Sequence, residues 1–183
     1  MTRLGTLLFS ALGLLFVAFV AGMIWLATRG DRQARATLEA HGWTFSGNEG
    51  SGPDGVRVEE RHAGVKTQTT VLEVWVAVDD AKAQVVVVRP GQSLFGGAQL
   101  PAAWPGFQGG ADAFATDDAS ARRWLPPKSQ AAIVERFAAV PRMVSVRVRD
   151  GRLTVVLQGG VEDAAAIESA AALVLALRAG AAP

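Results

Sequence analysis

The sequence predicts an α+β protein, with a single N-terminal transmembrane helix followed by a mostly antiparallel sheet of about six strands packed by helices. Three observations predict this class. The chain opens on a long uncharged apolar run, segments of alternating polarity follow, and an Asp-Gly dipeptide joins two of those segments. The expected division is a transmembrane anchor at 1–30, a juxtamembrane helix at 31–42 and a soluble α+β domain at 43–183.

The composition limits the possible functions. The chain has 183 residues, of which 50% are hydrophobic and 19% charged, with a net charge of +1. A charge so close to zero argues against nucleic acid as the main partner, because phosphate binding needs a clustered basic surface. The sequence contains no cysteine, which excludes disulfides and thiolate metal sites.

The apolar run covers residues 4–28 and contains no charged side chain. As a helix it would rise about 37 Å, more than the ~30 Å hydrocarbon core of a bilayer. A cleaved signal peptide is the alternative, but its apolar region is typically only ~7–15 residues long and ends in an A-x-A site, which is missing here. The sequence therefore predicts an uncleaved span.

Residues around the end of the run predict contact with membrane lipids. Trp25 suits the headgroup layer, and Arg29, Arg32 and Arg35 follow at spacings of three. The arginine bias predicts a single-pass protein of the inner membrane with its soluble domain in the cytoplasm. A plain stop-transfer flank explains the same arginines without any lipid-binding role.

A line of small residues lies on one side of the predicted span. Ala11, Ala18 and Gly22 are spaced by seven and four, which lets helix backbones approach closely in lipid. They predict a packing interface with other transmembrane subunits, although small residues are common in any membrane helix. No ionisable residue occurs in the run, so no cofactor ligand or proton relay is expected there.

Alternation of period two begins after Gly42, which is expected to close the juxtamembrane helix. The stretch GSGPDG, residues 50–55, fits the dinucleotide template G-x-G-x-x-G letter for letter. That template needs a helix N-terminus directly after it, whereas VRVEE here has the alternation of a strand. The stretch is therefore interpreted as a turn. Further strands are predicted in VRVEERHA, KTQTTVLEVWVAV and AQVVVVRP.

A Gly-, Pro- and Ala-rich segment, residues 91–114, is predicted to be a long loop. Its large apolar residues could form a contact surface for a partner, or they could fold back over the sheet. These residues are Leu94, Phe95, Leu100, Trp104 and Phe107.

The last third of the chain is expected to form a short helix capped by Asp117 or Asp118, a longer helix ended by Pro141, a hairpin and a closing Ala-rich helix. Asp150-Gly151 predicts a two-residue turn that pairs Val148 with Leu153 and Val144 with Leu157. The opposite face would then carry Arg147, Arg149 and Arg152. These arginines form either a basic face for an acidic partner or lipid headgroups, or an ordinary solvated face.

Catalytic patterns are missing from the sequence. His41 and His62 are the two histidines, their spacing does not suggest a metal site, and no G-x-S-x-G, P-loop or H-E-x-x-H occurs. The chain is therefore expected not to be an enzyme, and neither catalytic nor metal-binding residues are predicted.

The order of GWTFSG, FATDDASARRWL, a helix, the DG hairpin and an apolar closing helix resembles uncharacterised bacterial single-span membrane-anchored proteins. That resemblance implies an α+β domain and no known active site. The predicted function is a non-enzymatic accessory subunit of a larger membrane complex, such as a photosynthetic or respiratory one. A stand-alone anchored domain that binds a small ligand or lipid is the alternative, and a membrane-bound hydrolase is a distant third.

Overall fold

The computed structural model describes residues 3–63, 69–92 and 100–181 of the chain, and from residue 15 onward it describes most of their side chains. The α-helices in these ranges are α1 (Arg3–Ala40), α2 (Asp118–Trp124), α3 (Pro127–Ala139) and α4 (Ala164–Gly180). The strands are β1 (Thr44–Ser46), β2 (Glu49–Ser51), β3 (Arg57–Ala63), β4 (Thr69–Ala77), β5 (Val85–Val88), β6 (Ala102–Ala103), β7 (Asp112–Ala115), β8 (Met143–Arg149) and β9 (Arg152–Gln158).

All nine strands belong to one antiparallel sheet, in the order β1-β2-β3-β4-β9-β8-β5-β7-β6. Its two outermost strands are short, since β1 has three residues and β6 has two. The central position of β4, β9 and β8 suits their sequences, in which valine and threonine are frequent, and most residues of β8 and β9 are buried.

One face of the sheet, which we call the core face, carries the hydrophobic core. A row of small apolar side chains crosses it from β3 to β7. Helix α4 packs on β4 and β9, α3 contacts β8, and α2 contacts β5 and β7. The row consists of Val58, Val74, Val155, Val146, Val87 and Ala113. The alternation of β3 and β4 thus follows from burial on the core face, whereas β5, β8 and β9 are buried at consecutive positions.

The predicted transmembrane helix is wrong. Within the part of the chain that the structure describes, no helix is long and apolar enough to cross a membrane. The apolar run does not form an element of its own, because it opens a helix of 38 residues that continues through Arg29, Asp31 and Arg35 and buries Leu38 in the core. The predicted single-pass location in the inner membrane is corrected on the same finding.

The junction expected at residue 30 lies inside α1, which continues to Ala40 before Gly42 turns the chain at φ 87°. Contacts with α4 and β1 fix the last turns of α1 against the rest of the protein. The end of the helix is held further by His41, whose Nδ1 pairs with the Glu168 carboxylate of α4. The division of the chain at residues 30 and 42 stays a prediction.

The number of strands was also underestimated, at about six against nine. The strands β2 and β6, of three and two residues, are too short to show an alternating pattern. The stretch GSGPDG supplies part of β2 and a 3-10 helix at Pro53–Gly55. A strand follows it, β3, as the sequence predicted.

The hairpin is confirmed near its turn and wrong at its far end. Arg149 pairs with Arg152 and Val148 with Leu153, around a turn with positive φ at Asp150 and Gly151. Farther along, a β-bulge between Met143 and Ser145 makes Met143 the partner of Leu157. The extra residue, Val144, therefore packs with Val71 and Val156 in a small apolar cluster apart from the main core.

Candidate functional site

The face of the sheet opposite the core face, which we call the polar face, carries most of the charged strand residues. Register places one row of side chains across all nine strands. From β1 to β6 that row reads Thr44, Ser51, Arg57, Trp75, Thr154, Arg147, Val86, Phe114 and Ala103. The neighbouring row begins with Ser46, Glu49, Glu59 and Glu73, so cations and carboxylates lie side by side.

Two of these carboxylates are already paired. The Arg61 guanidinium donates to Glu59 Oε2 at 2.8 Å and lies 3.5 Å from Glu73 Oε2, while Arg147 Nη1 lies 4.0 Å from Glu73 Oε1. The hydrogen bond from Arg61 holds the pKa of Glu59 below its usual value, and the same bond raises the pKa of Arg61. Burial lowers the pKa of Arg147, which the Glu73 carboxylate partly offsets.

A groove lies between the β1–β2 hairpin and the polar face. It encloses about 310 Å³, and Trp75 forms part of its lining. The guanidiniums of Arg57, from β3, and Arg152, from β9, lie 5.6 Å and 4.2 Å from the Trp75 ring centroid. Neither makes a hydrogen bond or an ion pair with any residue that the structure describes.

The Trp75 indole itself is incompletely satisfied. Its Nε1–H is buried, and among the described residues it has no hydrogen-bond acceptor. A buried donor without a partner costs about 1–3 kcal/mol. Such a cost is more often found at functional sites than in purely structural packing, which marks this groove as the candidate site.

We expect Glu59→Gln to lower the stability of the protein at neutral pH, by less than about 1 kcal/mol because the pair is partly exposed. Since the folded pKa of Glu59 lies below its ordinary 4.5, its stabilisation is present above that pH and is lost as the pH falls through the folded pKa. Urea unfolding at about pH 7 and about pH 3 measures the difference, which should be smaller at the lower pH.

Glu49→Gln is the matched control for that measurement. Glu49 lies beside Glu59 in the same row, but makes no ion pair within the described ranges. Its replacement should leave the unfolding free energy unchanged at both pH values. An equal loss in the two variants would contradict the assignment of the effect to the Glu59–Arg61 bond.

The three arginines of the predicted basic face all lie on the polar face, but each contacts different residues. Arg147 is half-buried and donates to Ser145 Oγ at 3.1 Å, and Arg149 lies 3.3 Å from the Asp150 carboxylate. Arg152 lies against Trp75 instead. The cation that joins Arg152 at this site is therefore Arg57, which the sequence analysis did not select.

The residues predicted to meet the membrane interface lie in the second half of α1. Arg29 lies over the Trp25 ring at 5.2 Å from its centroid, and both side chains are exposed, as is Arg32. Arg35 is engaged by the β1–β2 hairpin, because it donates to the Gly47 carbonyl at 3.0 Å and lies over Phe45. Trp25 and Arg29 are thus in contact with each other, whereas Arg35 contacts the β1–β2 hairpin instead.

The predicted helix-packing residues stay a prediction. Ala18 and Gly22 are exposed on α1, four residues apart, and a side chain at Gly22 would meet nothing within 4 Å. The side chain of Ala11 lies outside the described residues. Around Ala18 the helix exposes large apolar side chains, namely Leu15, Phe16, Val17, Phe19, Val20, Met23 and Trp25.

The predicted contact loop is divided between surface and core. Leu94 and Phe95 lie outside the described residues, and Leu100 is exposed. Trp104 and Phe107 are partly buried and pack against the core, and Trp104 Nε1 donates to Asp118 Oδ1 at 2.9 Å. The hydrogen bond from Trp104, and to a smaller extent a second one from Arg122, holds the pKa of Asp118 below its usual value.

The residues that sequence reasoning missed, Arg57 and Trp75, carried a weak signal. In VLEVWVAV, Trp75 shares the phase of Glu73 and not that of the buried valines, so alternation alone assigns the indole to the polar face. Its pairing with Arg57 needed the register of β3 on β4, which no short-range pattern supplies.

Groups that could carry out chemistry are few. Among the described residues, no cluster of three or more His, Cys, Asp or Glu side chains could hold a metal ion. His41 pairs with Glu168, and His62 Nδ1 lies 3.4 Å from the Thr70 hydroxyl. Both contacts are exposed ones between neighbouring elements of the fold.

Fold and site together define a class of α+β protein in which one broad antiparallel sheet is covered by helices on one face and carries a cationic groove on the other. No protein-family model matches the chain, and neither does any curated protein.

Among solved structures, the crystal structure of the mycobacterial trehalose monomycolate transport factor A, TtfA, matches with a TM-score of 0.54 at 12% sequence identity. The match covers 82% of this chain and 93% of that one. At this identity the likeness shows the fold alone. It gives no support to other transmembrane subunits as partners, and those partners stay a prediction.

Proposed function

We propose that this chain is a non-enzymatic lipid-binding protein in which α1 supplies an apolar surface for acyl chains. The observation that carries the proposal is the set of exposed large apolar side chains between Leu15 and Trp25, with Phe16 and Phe19 exposed by 68% and 66%. Apolar surface in water is unfavourable by about 25 cal/mol per Å², and extended exposed patches mark interaction sites.

The border of this apolar surface favours lipid over a neutral partner. Arg29 and Arg32 are exposed directly after it, and Arg29 lies over the indole of Trp25. An aromatic ring beside cations matches the boundary between acyl chains and anionic headgroups, where each cation contributes about 1 kcal/mol. A neutral apolar partner would have no use for this arrangement.

The structural neighbour points in the same direction. TtfA is a transport factor for trehalose monomycolate, which is a lipid. A sheet of the same fold in a lipid transport factor supports lipid as the ligand class for this chain.

A binding role fits the side chains that are available. The sequence has neither cysteine nor tyrosine, and the described residues hold no candidate metal cluster. Recognition and transfer of an intact ligand need none of these groups, whereas hydrolysis needs an activated nucleophile or a metal-bound water.

We expect the full chain to float with vesicles of phosphatidylglycerol and phosphatidylcholine on a density gradient. Replacing both Phe16 and Phe19 by Ser should weaken binding at least about tenfold, because each buried aromatic side chain contributes about 1.5–3 kcal/mol. Flotation separates vesicle-bound protein from aggregates, which sink.

Leu100→Ser is the matched control, since it removes an exposed apolar side chain outside α1. It should leave flotation unchanged. Wild-type protein that stays at the bottom of the gradient, or a double variant that floats as well as the wild type, would refute the proposal.

The accessory-subunit function expected from sequence stays a prediction. The exposed apolar residues of α1 would also suit a protein partner. Recovery of the chain from cell extracts in a large assembly, together with no vesicle binding, would favour that function over lipid binding.

A further inference from the structure

We propose that the groove beside Trp75 is a binding site for a phosphorylated polyol, whose phosphate is held by Arg57 and Arg152. This site goes beyond the proposed lipid function, because it would exist even if α1 bound no lipid. The same chemistry can come from a lipid headgroup or from a free phosphate ester, and the experiment below distinguishes the two.

Both guanidiniums lie against the Trp75 ring and line the same groove. Arg57 is the register partner of Trp75 on β3, and Arg152 projects from β9 on the other side of β4, next to Thr154, which pairs with Trp75. Contact with the ring orders both cations but uses none of their N–H groups. Two planar forks of donors therefore remain available for the oxygens of a phosphate.

Two carboxylates near these cations are engaged by other arginines. Glu59 lines the groove but is bonded to Arg61, and Glu73 lies between Arg61 and Arg147. Glu59 and Glu73 are thus paired with other arginines, whereas Glu49 makes no ion pair among the described residues. Arg152 also acts on Glu59 through its charge, but the N–H groups of both cations at Trp75 remain available. The groove excludes part of the solvent, so an anion is bound there more strongly than on an open surface.

The rest of the lining specifies the ligand beyond its charge. Hydroxyls of Thr44, Ser46 and Ser51 and the carboxylate of Glu49 border the groove. Hydroxyl groups can donate to a phosphate, but an exposed carboxylate repels an anion and accepts hydrogen bonds from alcohols. The combination fits a phosphate attached to a hydroxylated carbon chain, and about 310 Å³ is the volume of a small ligand site.

The test titrates glycerol phosphate into the full-length protein, with heat or amide chemical shifts as the readout. Wild-type protein should bind it saturably and should not bind glycerol. The double variant Arg57→Gln/Arg152→Gln should bind at least about tenfold more weakly, because charge-assisted hydrogen bonds are lost. Arg149→Gln, on the same face but paired with Asp150, is the matched control and should bind like the wild type.

Two outcomes would overturn the proposal, namely no binding by the folded wild type, or equal binding by the folded double variant. Should the double variant fail to fold, as judged by its thermal transition, Arg152→Gln alone decides on the same criteria. Trp75→Phe keeps an aromatic face, so it should retain most of the binding if the ring only orders the cations.

Competition separates the two sources of phosphate. Displacement of glycerol phosphate by phosphatidylglycerol vesicles, but not by phosphatidylcholine vesicles, assigns the site to a lipid headgroup. Binding that vesicles leave unchanged assigns it to a free ester. The titration contains no lipid, so a failure here is distinct from a failure of flotation through Phe16 and Phe19.

Discussion

Leu38→Ala is expected to lower the free energy of unfolding by about 2–5 kcal/mol, the largest stability effect that we predict. The Leu38 side chain is 0% exposed and belongs to the main core cluster, although it lies on α1. Its removal leaves a cavity where α1 meets β1 and α4. Urea unfolding should show a lower midpoint with an unchanged slope.

The matched control is Leu15→Ala on the same helix. Leu15 is 70% exposed, and the two substitutions change helix propensity equally. We expect Leu15→Ala to stay within about 0.5 kcal/mol of wild type. Equal losses in the two variants would mean that Leu38 does not pack in the core. In that case the last turns of α1 would not hold its apolar surface against the sheet.

Gly52→Ala is expected to cost about 1–3 kcal/mol through overpacking. A Cβ at Gly52 would lie 2.8 Å from three ring atoms of Trp43, which is itself buried in the core. The backbone of Gly52 has φ −109°, which any residue can adopt, so the cost is steric. Thermal and urea unfolding of the variant measure it.

Gly30→Ala is the control for that substitution. Gly30 lies within α1, and a Cβ there would meet Glu162 Cβ at 3.5 Å, an ordinary van der Waals contact. Alanine should stabilise the helix by up to about 1 kcal/mol. If the Gly52→Ala variant were as stable as the wild type, the backbone at Gly52 would not pack against the Trp43 ring. The steric reason for a glycine at this position of GSGPDG would then be wrong.

The hairpin shows how far local patterns reach. Asp150-Gly151 fixes the turn and alternation fixes the faces, so the pairing of Arg149 with Arg152 and of Val148 with Leu153 was predictable. The bulge at Val144 was not, because one extra residue leaves the sequence looking like continued alternation.

The candidate site was only partly predictable for a different reason. Arg152 was selected on its hairpin, but its neighbours Trp75 and Arg57 come from strands far away in the sequence. Which strand pairs with β9 depends on how the whole sheet assembles, and no property of a short segment determines it. The apolar N-terminal run led to a wrong prediction of a transmembrane helix for a related reason. Its composition could not show that the same helix continues to Leu38, whose side chain is buried in the core.

The sheet ends in strands of three and two residues, β1 and β6. Long bare edges are the usual template on which a second chain adds its own backbone, and such addition leads to fibrils. Among the described residues, these two edge strands leave few main-chain groups free, so they offer little of such a template. Self-association at high concentration should therefore proceed through α1, give helical and not cross-β aggregates, and be reversed by mild detergent.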